Sequence, residues 1–267
     1  MKLSIIGAGN MAQAIIKALL KDRIIPAENI TVSDVNQQNL EKLRLELGVT
    51  TAADNTSAIC EAEIIVLAVK PQNLDDLSRE LSGHFDRAQL VISILAGTPI
   101  ARLSSSLGHD KIVRAMPNTP AQIGMGMTVW TSSRQVSDKQ RQNAETILSS
   151  MGEAIFVEEE SCIDMATAIS GSGPAYFFLF MEYLIESAIS LGFDSQTARK
   201  LVMQTALGSV KYAASSEQDI SELRRQVTSP GGTTAEAITF FNSCGIKGTI
   251  NGAVTAAYNK ATEMGKY

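Results

Sequence analysis

Read as a pattern of hydrophobic and polar positions, the chain changes character once, near Glu158-Glu159-Glu160. Before that point, short apolar runs alternate with helical stripes. Leu3-Ser4-Ile5-Ile6 predicts a strand, and Ile15, Ile16, Leu19 and Leu20 predict a helix reaching about Lys21. Asn29 to Ser33 reads as the second strand, followed by a helix marked by Leu40, Leu43 and Leu47 and closed by Gly48. Ile64 to Val69 is continuously apolar, as expected of a parallel strand covered on both faces. Lys70-Pro71 ends it, and Leu74, Leu77 and Leu81 mark the next helix. Leu90 to Ile94 is a further strand, closed by Ala96-Gly97. Ile112-Val113 leads into Met116-Pro117-Asn118-Thr119-Pro120, where two prolines predict a non-helical loop. Met127 to Thr131 and Ala154 to Val157 read as strands, separated by a helix that Ser137 and Gln140 open as a capping box and that runs to about Ser149. Strands and helices in this alternation predict an α/β fold: a doubly wound, Rossmann-type parallel sheet over residues 1–158.

From residue 159 to 267 no strand pattern appears, which predicts an all-α second domain. The acidic triplet at the junction reads as a solvated turn. Ala175 to Leu191 is apolar almost all round and holds Tyr176, Phe177, Phe178, Phe180 and Tyr183, five of the chain's fourteen aromatic residues. Such a helix needs cover on every side. A central place in a monomeric bundle and a partner subunit both satisfy that need. Further helices are expected at about Ser195–Ser215, Ser221–Gln226, Thr234–Asn242 and Lys247–Met264.

The chemistry begins at Gly7-Ala8-Gly9-Asn10-Met11-Ala12, between the first strand and first helix. The first glycine makes the turn, the second lets backbone approach a pyrophosphate, and Ala12 lets helix and strand pack closely. Free N–H groups and the positive end of the helix dipole would face the phosphates. Asp34 closes the second strand, where such a fold places the acid that accepts ribose hydroxyls; as a helix cap it would compete with Asn36.

Composition narrows the classes. The 267 residues are 45% hydrophobic and 19% charged, so a sizeable core is expected and disorder is not. A net charge of −5 speaks against nucleic acid or an anionic membrane as partner. Cys60, Cys162 and Cys244 are odd in number and far apart, which gives no disulfide framework or metal spacing and suggests a cytoplasmic protein without a metal. Glycines and Asn10 interrupt the apolar N-terminus too early for a signal peptide, and Ala175 to Met181 is too short to span a bilayer.

Two glycine-serine stretches interrupt the helical half, Ser170-Gly171-Ser172-Gly173-Pro174 and Ser229-Pro230-Gly231-Gly232-Thr233-Thr234. Each reads as a hydroxyl-capped helix start or as an anion site built from backbone N–H groups, and spacing alone favours the cap. His84 and His109 both read as surface-loop residues. The crevice offers no base except Lys70, which also reads as a strand-end charge. Oxidising an alcohol needs a base, whereas a protonated imine accepts hydride readily. Reduction of an imine held by an anionic handle therefore fits the residues best.

Together, Gly7-Ala8-Gly9-Asn10-Met11, Ala68-Val69-Lys70-Pro71, Arg114 to Pro120, Ser170 to Tyr176 and Ser229 to Thr234 resemble one family over essentially the whole chain, the pyrroline-5-carboxylate reductases. The resemblance implies reduction of 1-pyrroline-5-carboxylate to L-proline with NADH or NADPH, the final step of proline biosynthesis. It implies helical C-terminal domains interlocked into a homodimer, with larger rings such as a homodecamer in some members. It implies a carboxylate site at Ser229, Gly231, Gly232 and Thr233, contact of the Thr234 hydroxyl with the ring nitrogen as the catalytic interaction, and Glu217 near that nitrogen. It implies cofactor contacts at Ile6, Gly7, Ala8, Gly9, Asn10, Met11, Ser33, Asp34 and Asn55. Further contacts are implied at Ala68, Val69, Lys70, Pro71, Ile94, Ala96 and Gly97. If the chains pair, the carboxylate stretch reaches the Gly7 crevice from the partner. Members preferring NADPH usually carry small polar or basic residues where Asp34-Val35-Asn36 stands here, so Asp34 predicts a preference for NADH. A β-hydroxyacid dehydrogenase would need a lysine base, with Lys200 and Lys211 as the lysines on helices. A non-catalytic dinucleotide-binding regulator would not need the second glycine-rich helix start.

Overall fold

Alternate residues of the central strands bury into different cores, and this sets the architecture of the computed structural model, which describes residues 1–265. Leu3 and Ile5 of β1 (Leu3–Ile6), with Ile64 and Val66 of β4 (Ile64–Leu67), join one cluster with Ile15, Ile16 and Leu19. Ile6, Ile65 and Leu67 turn to the other face, against Leu74, Leu77, Leu81 and Leu103. With both faces covered, every residue of β1, β4 and β5 (Leu90–Ser93) is buried, which explains runs that are apolar except for Ser4 and Ser93.

The remaining strands are β2 (Ile30–Ser33), β3 (Thr50–Thr51), β6 (Ile112–Met116), β7 (Gly126–Ser132) and β8 (Gly152–Phe156). Their order is β3-β2-β1-β4-β5-β6-β7-β8. The order reverses between β1 and β4, the position where such sheets open a ligand crevice at the carboxyl ends. Helices α1 (Asn10–Lys21), α2 (Gln37–Leu47), α3 (Asn55–Ile59), α4 (Leu74–Leu81), α5 (Ile100–Leu107) and α6 (Asp138–Ser149) alternate with the strands. Gly48 closes α2 in the left-handed conformation, and Ser137 with Gln140 forms the capping box of α6, both as read from sequence.

The sheet is mostly parallel rather than wholly so, because β6 and β7 pair antiparallel. Their connection holds only the short 3-10 turn Thr119–Ile123, with Pro120 in its first turn, and a parallel pairing needs a longer crossover. The acidic triplet is not simply a solvated turn. Glu160 accepts from the backbone N–H of Ile100 at 2.8 Å and from Arg114 at 3.0 Å, and Arg114 also pairs with Asp164 at 2.5 Å. Arg114 is itself buried, so these carboxylates supply the partners its charge requires.

That tie keeps α7 (Ser161–Ala166) and the π-helical turn Thr167–Gly171 with the sheet. By internal packing the first body therefore runs from Met1 to Ser172 and regains the chain from Ala257 on, whereas the expected boundary stood at 158/159.

His109 is buried rather than a surface residue: its Nε2–H donates to the carbonyl of Gln89 at 2.9 Å and its ring stacks on Phe85. Burial holds its pKa below the ordinary histidine value of 6.5, against the opposing hydrogen bond to Gln89. The unfolded chain thus binds this proton more readily, and stability is lost as pH falls through about 6.5. Thermal melting of the wild type is expected to drop more steeply between pH 7.5 and pH 5.5 (the range flanking that ordinary value) than melting of His109→Gln. Parallel pH profiles would contradict the assignment.

The second body, Gly173–Ala256, is helical. It contains α8 (Gly173–Ser190), α9 (Ser195–Ala214), α10 (Ile220–Gln226), α11 (Thr233–Ser243) and most of α12 (Ile246–Met264). In place of a covered central helix, α8 has Phe177 and Phe178 at 66% and 60% exposure. An apolar groove between α8 and α9 is lined by Phe180, Leu184, Leu201 and Val210. A monomeric bundle does not supply the cover this helix needs. Among the described residues, no helix is long and apolar enough to cross a membrane.

Candidate active site

At the end of β1 the chain turns at Gly7, whose φ is +104°, a conformation that suits glycine. The turn is fixed by several hydrogen bonds. Gly7 N–H donates to the Ser33 carbonyl at 2.8 Å, and Ala8 N–H donates to Asp34 Oδ2 at 2.5 Å. Gln13 Nε2 donates to the Ala8 carbonyl at 3.1 Å. Gly9 then serves as N-cap of α1 without any side-chain cap, and a Cβ on Gly9 would meet no atom within 4 Å. The first helical bond comes only at Gln13, which donates to the Gly9 carbonyl, so the preceding N–H groups of the first turn have no partner within the helix. This open, positively polarised cradle fits a pyrophosphate.

The competition between Asp34 and Asn36 is resolved by geometry. Asn36 caps α2, accepting from Gln38 and Asn39 N–H groups, and donates its own N–H to Asp34 Oδ1 at 2.7 Å. Asp34 is thereby tied to the glycine turn, with lone pairs on both oxygens left to accept ribose hydroxyls. Val35 beside it is 98% exposed. Ser33 Oγ–H donates to Asn55 Oδ1 at 2.7 Å, which brings the start of α3 to the end of β2.

The other crevice segments follow neighbouring strands. Ala68 N–H donates to the Ile6 carbonyl at 2.8 Å, and Ile94 N–H donates to the Leu67 carbonyl at 3.1 Å. Lys70 is exposed at the start of the 3-10 turn Pro71–Asn73. Gly97, with φ +62°, packs so closely that a Cβ would lie 2.5 Å from that of Met264. Gly7–Met11, Ser33–Asp34, Ala68–Pro71 and Ile94–Gly97 thus lie at the carboxyl ends of the neighbouring strands β1, β2, β4 and β5, with Asn55 joined to them through Ser33. Gln13 and Glu80, which supports Asn55, escaped sequence reading because only tertiary contacts reveal them.

In the second body, Ser229 to Gly232 forms a tight turn that leads directly into α11, whose first residues are Thr233 and Thr234. Gly231 has φ +70°, and Gly232 N–H donates to the Ser229 carbonyl at 3.1 Å. A Cβ on Gly232 would approach Ser229 Oγ to 2.7 Å. The N-cap is Gly232, and no side chain caps the helix. The hydroxyl-cap reading is therefore not realised, and the first-turn N–H groups, from Thr233 on, have no side-chain cap and no partner within the helix. Thr234 is partly buried, and no hydrogen bond engages its hydroxyl among the described residues. Glu217 is exposed in the connection between α9 and α10, and no hydrogen bond joins it to Ser229–Thr234. Lys200 and Lys211 are exposed on α9, in keeping with a solvated face.

Comparison with known proteins covers both bodies. Residues 160–264 match the family model described as pyrroline-5-carboxylate reductase dimerisation. Residues 2–97 match the model described as NADP oxidoreductase coenzyme F420-dependent. The chain is 39% identical to a pyrroline-5-carboxylate reductase of Pseudomonas aeruginosa over 98% of its own length and 96% of the relative's. It is 41% identical to the Vibrio alginolyticus enzyme of that name, covering 99% and 98%. Among solved structures, a Coxiella burnetii pyrroline-5-carboxylate reductase matches with TM-score 0.88 and 38% identity, covering 100% of this chain and 99% of that one. The Plasmodium falciparum pyrroline carboxylate reductase with NADP bound matches with TM-score 0.91 and 31% identity, covering 99% and 98%.

Proposed function

The chain belongs to the pyrroline-5-carboxylate reductase family, and on that premise we propose how its residues carry the reduction of 1-pyrroline-5-carboxylate to L-proline, the final step of proline biosynthesis. The observation that carries the site reading is the uncapped start of α11 after Ser229-Pro230-Gly231-Gly232. Its N–H groups form a carboxylate receptor without an arginine, and Ser229, Gly231, Gly232 and Thr233 surround the carboxylate. Thr234, in the same first turn, holds the ring nitrogen through its free hydroxyl. Glu217 stands near that nitrogen.

When bound, a reduced nicotinamide would supply the hydride for the imine carbon. The residues fit its dinucleotide. Ile6 to Met11 would hold the pyrophosphate, Ser33, Asp34 and Asn55 would hold the adenosine ribose, and Ala68–Pro71 with Ile94, Ala96 and Gly97 would line the remaining length. The chain's own work is to orient the imine and to hold its nitrogen, and no strong base is needed.

The chain prefers NADH in this reading. A carboxylate at Asp34 repels a 2′-phosphate, and Val35 and Asn36 offer it no cation. We expect kcat/KM for NADH to exceed that for NADPH by about tenfold or more, since nearby like charges cost at least ~1.4 kcal/mol. Asp34→Ser is expected to narrow that ratio and, because Asp34 also holds Ala8, to weaken both cofactors. A higher kcat/KM for NADPH in the wild type would sink the preference.

The exposed face of α8 and α9 is the surface through which two chains pair, supported by the match to a dimerisation family. A larger ring, up to a decamer, and a cytoplasmic location complete the reading.

A further inference from the structure

The Asn55 side chain is held from two sides. Its Oδ1 accepts the hydroxyl of Ser33, the buried last residue of β2. Its backbone N–H and its Nδ2 donate to Glu80 Oε1 at 3.1 Å and Oε2 at 2.7 Å. Glu80 is the penultimate residue of α4, whose Leu74, Leu77, Ser78 and Leu81 are anchored in the core, so the carboxylate comes from a fixed support. An ionised carboxylate only accepts hydrogen bonds. If the Asn55 amide flipped, its oxygen would face Glu80 and its NH2 would face Ser33, with the Glu80 bond lost and a repulsion in its place.

We propose that Glu80 is a positioning residue for the cofactor's adenosine ribose. By binding both N–H groups of Asn55, it selects one amide orientation and fixes the start of α3 against the end of β2. One amide hydrogen and one lone pair of Asn55 are then presented in a set direction beside Asp34. Glu80 acts through Asn55 and touches no reacting atom. The inference rests on the reading of Asn55 as a ribose contact.

The test measures the NADH dissociation constant by nicotinamide fluorescence, together with kcat and KM, for Glu80→Ala, Glu80→Gln, Asn55→Ala and the double alanine variant. We expect Glu80→Ala to raise both the dissociation constant and KM for NADH about tenfold while kcat stays within about twofold. Glu80→Gln, which keeps an acceptor, recovers most of the loss. The double variant binds no more weakly than Asn55→Ala alone, as one shared network requires. Wild-type affinity in Glu80→Ala alongside weakened Asn55→Ala overturns the inference, and so does an additive double variant. Wild-type affinity in Asn55→Ala removes the ribose reading of Asn55 itself, and the role of Glu80 with it. A loss of kcat that follows a fall in melting temperature would mark Glu80 as merely structural and overturn the inference equally.

Discussion

Gly7→Ala is expected to abolish useful cofactor binding, raising the NADH dissociation constant at least about a hundredfold, equivalent to ~2.7 kcal/mol. The cause is local and stiff. A Cβ at this position would lie 2.7 Å from the Ala68 carbonyl oxygen and 2.9 Å from its carbon. Those atoms cannot retreat, because Ala68 is hydrogen-bonded to Ile6 and Gly7 to Ser33. The φ of +104° adds strain for any L side chain. Strain of a few kcal/mol should also lower the melting temperature by roughly 5–10 °C. Gly9→Ala separates the two effects. No atom lies within 4 Å of its Cβ, so the fold should keep its melting temperature while the methyl group intrudes on the pyrophosphate cradle. Titration with NADH and a thermal melt of each variant decide the matter. Tight binding in Gly7→Ala would refute the role given to the turn.

Thr234→Val is expected to lower kcat about a hundredfold, the scale for removing one hydrogen-bonding group from a reacting centre. Valine keeps the branched shape of threonine, and the hydroxyl of the partly buried Thr234 engages no other group among the described residues, so the melting temperature should change little. KM should move less than kcat, because the carboxylate contacts proposed at the start of α11 are backbone N–H groups that the substitution leaves in place. Unchanged turnover would remove Thr234 from the mechanism.

These two positions illustrate what sequence could reveal. Gly7 and Gly9 were legible because a strand, a glycine turn and a helix must occur in that order for backbone to meet phosphate. The helical starts at Ser137 and Asn36 were legible because their caps are local. Asp34 was legible as an acid, but its bond to Ala8 was not, since that contact joins residues 26 apart. The same holds for Glu80 with Asn55 and for Glu160 with Arg114, whose separations of 25 and 46 residues leave no periodic trace. His109 was misread because flanking glycine and aspartate resemble a surface loop, whereas the fold turns its ring inward onto Phe85. The antiparallel β7 escaped notice because strand patterns carry no direction. At Ser229 to Thr234, spacing favoured a hydroxyl cap. The backbone instead closes a turn on Ser229 and leaves the helix start open, a choice decided by Gly231 and Gly232 rather than by the hydroxyls around them.

The central claim is that this chain reduces a cyclic imine carboxylate with hydride from a nicotinamide. Its most direct test is turnover of 1-pyrroline-5-carboxylate with NADH deuterated at the transferable position of the nicotinamide, followed by mass spectrometry and NMR of the product. The account predicts L-proline carrying the deuterium on C5, formed at the rate at which NADH absorbance is lost. Cofactor binding without proline, or proline lacking the label, would contradict it.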